Sequence, residues 1–305
     1  MTERSLTILS CGSAKPTGQL TPSSQLLRLR DKDYLIDCGE GCQLTMARMH
    51  ILPPHRLGHI FISHLHGDHC LGLIGLISTL GMIERTATLY IHAPAPAKQI
   101  FQPQIDFFCP YNSFEVVIDE TDPLKSEIIY DDNTITVKTI PLRHGLPTCG
   151  FLFEEKATQR HYLREVGDVY GISTAYIPAI KQGADYTMPD GTIIPNEQLT
   201  SAPEEPFRYA YCSDTLYSER IIPIIEGVDC LYHEATYSAA DLQKAKAHNH
   251  STSVQAATIA KKANVKQLII GHFSSRYKDL TLLLDEAKEV FPNTILATQE
   301  TKIEF

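Results

Sequence analysis

Three histidines and one aspartate fall within six residues, His64-Leu65-His66-Gly67-Asp68-His69, directly after the run His59-Ile60-Phe61-Ile62-Ser63. The run reads as a fully buried strand because its apolar residues are contiguous rather than alternating. A lone histidine is usually structural, but imidazole and carboxylate at this density suit divalent first-row metals. Gly67 permits a tight turn in which His64 and His66 point one way and Asp68 and His69 another. That geometry serves two metals rather than one.

Two ions about 3.5–4 Å apart need more than four ligands, so other strand ends should supply further His and Asp side chains. His144 follows a strand ending at Ile140, Asp214 one ending at Cys212, and His272 the run Leu268-Ile269-Ile270-Gly271. Each sits where a buried strand opens into a loop. His55, His59, His92, His161 and His248 have no such pattern and read as surface or core residues.

The elements around this motif alternate between strand and helix. Strands are expected at 5–10, 24–30, 34–37, 59–63, 89–91, 114–118, 128–130, 134–140, 208–212, 230–232, 267–270 and a closing one at 294–297. Helices are expected at 43–50, before the break at Pro53-Pro54, at 71–83, after Pro96, and at 218–226, 239–247, 253–263 and 280–290. Two runs of strands with helices and no repeat period fit two sheets packed face to face with helices outside, a four-layer αββα sandwich of the α/β class. From 154 to 206 periodicity is lost and turn residues crowd the chain, which reads as an inserted flexible arm protruding from a single domain spanning 1–305.

Composition narrows the function. No apolar run approaches the roughly 18 residues of a membrane span, and Met1-Thr2-Glu3-Arg4 opens no secretory signal, so a cytoplasmic protein without membrane contact is expected. Eight scattered cysteines without a CxxC pair read as buried free thiols. A net charge of -9 argues against coating nucleic acid by bulk electrostatics, although positive charge confined to one groove, with metals supplying the rest, would still suit an RNA enzyme.

The pattern His-x-His-x-Asp-His followed by distant His, Asp and His resembles the metallo-β-lactamase superfamily over nearly the whole chain. The resemblance implies His64, His66 and His144 on one metal, Asp68, His69 and His272 on the other, and Asp214 bridging both. Four further stretches resemble ribonuclease Z, the family that matures the 3′ end of tRNA: Gly12-Ser13-Ala14-Lys15-Pro16-Thr17; Leu35-Ile36-Asp37-Cys38-Gly39-Glu40-Gly41-Cys42-Gln43; His233-Glu234-Ala235-Thr236 with His250-Ser251-Thr252; and Gly271-His272-Phe273-Ser274-Ser275-Arg276-Tyr277.

The resemblance implies a zinc-dependent endoribonuclease with two Zn2+ per subunit, Mn2+ or Fe2+ being acceptable to the same ligands. It would remove the 3′ trailer from precursor tRNA by attack of a metal-held hydroxide, leaving a 3′-OH on the tRNA, and work as a homodimer. Asp68 would orient the nucleophile and accept its proton. His250, held by Glu234, would protonate the leaving oxygen, unless it merely caps the following helix. Ser13, Ser274 and Arg276 would contact phosphate, the plainer role of the serines being strand-end hydrogen bonds.

The arm strains the match, since Lys156, Arg160, Arg164 and Lys181 face nine carboxylates between Glu154 and Glu205 where an RNA grip should be basic. Arg160-His161-Tyr162-Leu163-Arg164 still sets charge beside an aromatic ring. The alternative activity is hydrolysis of a small phosphodiester such as a cyclic nucleotide. A non-catalytic relative used for binding would be expected to have lost some of these ligands.

Overall fold

The computed structural model of the chain describes residues 3–17, 20–52 and 56–305. The break expected at Pro53-Pro54, His55 and the first two residues lie outside them. The contacts divide the chain into two compact units, one of residues up to Asp131 with Val137–Phe153 and Arg208–Phe305, the other of Asp132–Thr136 with Glu154–Phe207.

Two seven-stranded sheets organise the chain. The first runs in the order Thr301–Glu304, Arg4–Ser10, Ser24–Leu29, Lys32–Ile36, Leu57–Phe61, Leu89–Pro94 and Val116–Thr121. The second runs Thr294–Leu296, Gln267–Gly271, Cys230–Glu234, Arg208–Cys212, Cys149–Glu155, Ile135–Pro141 and Ile128–Asp131. Tyr34 and Phe61 of the first sheet pack on Phe153 of the second at ring-centre distances of 5.6 and 5.2 Å. The helices Cys42–Arg48, Leu73–Met82 and Ala97–Phe108 contribute Met46, Leu76, Ile77 and Phe101 to a core with Leu35, Ile60 and Ile91 of the first sheet. Ser253–Lys262 packs on the second.

The second sheet holds a parallel block, Tyr209 pairing with Cys230 and Cys230 with Gln267, while Tyr34 pairs with His59 and His59 with Tyr90 in the first. Parallel strands are buried on both faces, which explains the unbroken apolar run before His64. Their carboxyl ends lie on one edge, so loops distant in sequence meet there.

The expected strands and helices are present with ends shifted by a few residues, while two strands of the large sheets and four two-residue strands within 161–201 lie outside the expected set. Cys149–Glu155 lies inside the second sheet and Thr301–Glu304 closes the first beside Arg4–Ser10. The expected 218–226 helix is a 3-10 turn at Glu219–Ile221 followed by four α-helical residues, Ile222–Ile225. The turn-rich stretch carries structure of its own: helices Arg164–Val169 and Ile177–Lys181 surround a core of Tyr162, Ile172, Ile180, Tyr186, Ile194 and Leu199. All eight cysteines are buried free thiols. Among the described residues no helix is long and apolar enough to cross a membrane.

Candidate metal centre

His64 and His66 follow the strand Leu57–Phe61, His144 follows Ile135–Pro141, Asp214 follows Arg208–Cys212 and His272 follows Gln267–Gly271. Their side chains converge at the shared carboxyl edge. One ligand atom each from His64, His66, His144 and Asp214 lie within 4.8 Å of one another, and so do those of Asp68, His69 and His272.

Asp214 faces both sets. Its Oδ2 is 3.7 Å from Nε2 of both His64 and His144, while its Oδ1 is 3.5 Å from His69 Nε2 and 3.2 Å from His272 Nε2. Asp68 Oδ2 stands 3.6 Å from both His69 and His272 Nε2. Ligands about 2.0–2.1 Å from a tetrahedral ion are about 3.3 Å apart, so these separations suit a cation between them. The buried atoms His69 Nε2, His272 Nε2 and Asp214 Oδ1 have no hydrogen-bond partner. Unpaired buried polar atoms are costly, and here they point at one another as metal donors do. The residues therefore fit divalent ions.

The opposite ring atoms are tied down, which fixes ring orientation and leaves the inward nitrogen as donor. His144 Nδ1 donates to the Asn249 carbonyl at 2.9 Å, and His272 Nδ1 to Thr236 Oγ1 at 2.9 Å. His69 Nδ1 meets Asp37 Oδ2 at 2.7 Å, and that carboxylate also accepts from Ser63 N, Ser63 Oγ and Tyr211 OH. Asp37 is fully buried and was assigned no role from sequence. An aspartate and glycines just past a buried strand were the available signal.

Ala14, Asp37, Asn249 and His272 all adopt left-handed backbone, with φ of 55 to 63°. Such strain persists where surrounding structure over-determines it. Ala14 uses it to aim its N–H at Asp68 Oδ2, 2.7 Å away.

Burial pushes the His64 imidazole well below its usual range. For His69 burial also acts downward, but Asp214 and Asp37 outweigh it and lift the ring to about 10. Glu234, fully buried, accepts from Thr215 N, Ser251 N, Thr236 N and Thr236 Oγ1, and its Oε1 lies 3.0 Å from His250 Nδ1. Burial alone would lower His250, yet the Glu234 carboxylate lifts it to about 9. The following helix is capped by Thr252, whose side chain accepts from Gln255 N, not by His250.

These groups open into a cleft of about 770 Å3 that includes Ser13, Asp68, His144, Asp214, His250, His272 and Ser274. Arg276 is absent from its lining. Its guanidinium lies over the Tyr237 ring at 5.0 Å, with Nε donating to Ser274 Oγ. His248, read from sequence as an unassigned surface or core residue, lines the cleft. His59 and His92 do not, and face each other at 3.1 Å within an aromatic cluster.

A curated ribonuclease Z from Phocaeicola vulgatus is 54% identical over 296 residues, 97% of this chain and 96% of the relative. The solved short form of human tRNase Z superposes with a TM-score of 0.71 over 98% of each chain at 24% identity. The metallo-β-lactamase fold protein YhfI from Bacillus subtilis superposes with a TM-score of 0.69 at 19% identity, over 99% of this chain and all of the other. At those identities the two solved structures show the fold alone, the metallo-β-lactamase sandwich expected from the ordered ligands. Residues 4–158 also match the family model described as Anti-Pycsar protein Apyc1. With half of its residues shared along nearly the full length of a curated relative, the chain belongs to the ribonuclease Z family.

Proposed function

We propose that this chain is the endoribonuclease that removes the 3′ trailer of precursor tRNA, holding two Zn2+ in the cluster described above. The observation that carries the reading is Asp214, whose two oxygens face two separate histidine sets beside the His250–Glu234 pair. In this assignment His64, His66 and His144 hold one ion, Asp68, His69 and His272 the other, and Asp214 both. The bound ions would supply the charge that activates water and stabilises the oxygens of an in-line displacement at phosphorus.

The chain's own groups do the rest. Asp68, its Oδ2 fixed by the Ala14 N–H, orients the attacking water and accepts its proton. His250, kept protonated through neutral pH by Glu234, hands its proton to the 3′ oxygen as the phosphorus–oxygen bond breaks. That leaves a 3′-OH on the tRNA and a phosphate on the trailer. The Ser13 and Ser274 hydroxyls, lining the cleft, suit the non-bridging phosphate oxygens. A charge on Arg276 contributes from behind Tyr237 rather than by direct contact.

A cytoplasmic homodimer, with residues 154–206 as an inserted arm, completes the reading. Cleavage of an end-labelled precursor tRNA with zinc or manganese tests it, beside H66A and a small chromogenic phosphodiester. A metal-dependent cut leaving a 3′-OH, lost in H66A, is the expected result. Elemental analysis gives ion number and identity, and light scattering the subunit count.

The acidic unit favours one rival. Residues Asp132–Thr136 and Glu154–Phe207 carry four Lys or Arg against ten Asp or Glu, a poor surface for RNA. Turnover of the small ester alone would move the function to a small phosphodiester such as a cyclic nucleotide.

A further inference from the structure

A column of stacked groups ends at the rim of the cleft. Arg276 lies over the Tyr237 ring, and the ring planes of Tyr237 and His248 are 15° from parallel with centres 6.3 Å apart. Offset stacks extend to about this separation. The column is anchored along its length: Arg276 Nε donates to Ser274 Oγ, its Nη1 is 3.7 Å from Asp241, and the Tyr237 backbone is tied to Ser251 and Ser253. Tyr237 and His248 both line the cleft, but Tyr237 is only 6% exposed whereas His248 is exposed. His248 is therefore the ring of the column that is open to a ligand in the cleft.

His248 has a defined relation to the chemistry. It ends the helix Leu242–Ala247, and the next two residues supply the carbonyl that holds His144 and the imidazole that meets Glu234. We propose that the outer face of His248, backed by Tyr237, stacks the nucleobase on the 5′ side of the scissile bond. This rests on the reading above, in which His250 protonates the 3′ oxygen of that same nucleotide. Base and leaving oxygen then belong to one nucleoside, held by residues two apart. Stacking on an aromatic face tolerates every base, so the site accepts any nucleotide at this position and binds purines best.

The test combines a protein change with a substrate change. For precursor tRNA, H248A raises KM about tenfold while kcat moves much less, and H248F restores KM. A substrate with an abasic nucleotide immediately 5′ of the cut raises the wild-type KM by a like factor and closes the gap between wild type and H248A. An abasic nucleotide on the 3′ side leaves the gap open. An H248A enzyme with wild-type KM, or a gap that persists on the 5′-abasic substrate, overturns the inference while the function stands. A wild-type enzyme that cuts only a small ester overturns both.

Discussion

Asp37 shows how much of a candidate metal centre lies behind the side chains that face the cleft. Four donors converge on its carboxylate, and one of them, His69 Nδ1, would be free to rotate without it. We expect D37A to lower metal affinity by about 10–100-fold, measured by competition with a chelator. For His250 the opposite pattern is expected: H250A should lower kcat by about 100-fold or more with metal content retained. Loss of the metal instead would make His250 a ligand, since its ring, Asp214 and His272 also lie within 4.8 Å. A third residue acts on stability. Burial pushes His92 down to about 4, so the folded protein holds it neutral while the unfolded chain protonates near 6.5. Its contribution is complete above pH 6.5 and is lost as pH falls toward 4. Urea midpoints of H92F should accordingly fall less steeply than wild type across that window.

At the scale of elements, the helix Leu73–Met82 and the loop after Lys32–Ile36 meet at distances only glycine allows. A Cβ on Gly72 would stand 2.2 Å from the Gly39 carbonyl oxygen, while Gly72 N and Cys38 N bond across the same contact to Cys38 O and His69 O. G72A should cost about 1–3 kcal/mol in denaturant unfolding and loosen the segment that carries His69. Close approach also explains the strand that sequence reading missed. Cys149–Glu155 is buried almost throughout, and a Cβ on Gly150 would lie 2.2 Å from the Tyr211 carbonyl oxygen. Glycine weakens most strands, but at position 150 it is what allows this strand to sit against its neighbour. Thr301–Glu304 escaped for another reason: its exposed, charged residues give no buried face, and only pairing with Arg4–Ser10 makes it a strand.

For the whole molecule, the open question is what the acidic unit does for a substrate that is a polyanion. It has its own apolar core, so replacing 157–205 with a short glycine-serine linker should preserve metal content. Because its few basic groups can neutralise little phosphate, the slope of log KM against log salt on precursor tRNA should be unchanged by the deletion. A shallower slope would mean that Arg160 and Arg164 bind backbone after all. The sequence by itself determined the sandwich and which His and Asp side chains converge, because contiguous apolar strands, glycine turns and strand-end histidines are local patterns with few structural solutions. It could not determine which groups lie behind those side chains. Asp37 reaches His69 across 32 positions and Tyr211 reaches Asp37 across 174. Nor could it tell that His248, spaced like any surface histidine, would be stacked on Tyr237 at the rim of the cleft. Those relations exist only once the strands pair and their loops meet at one edge, which tertiary packing alone decides.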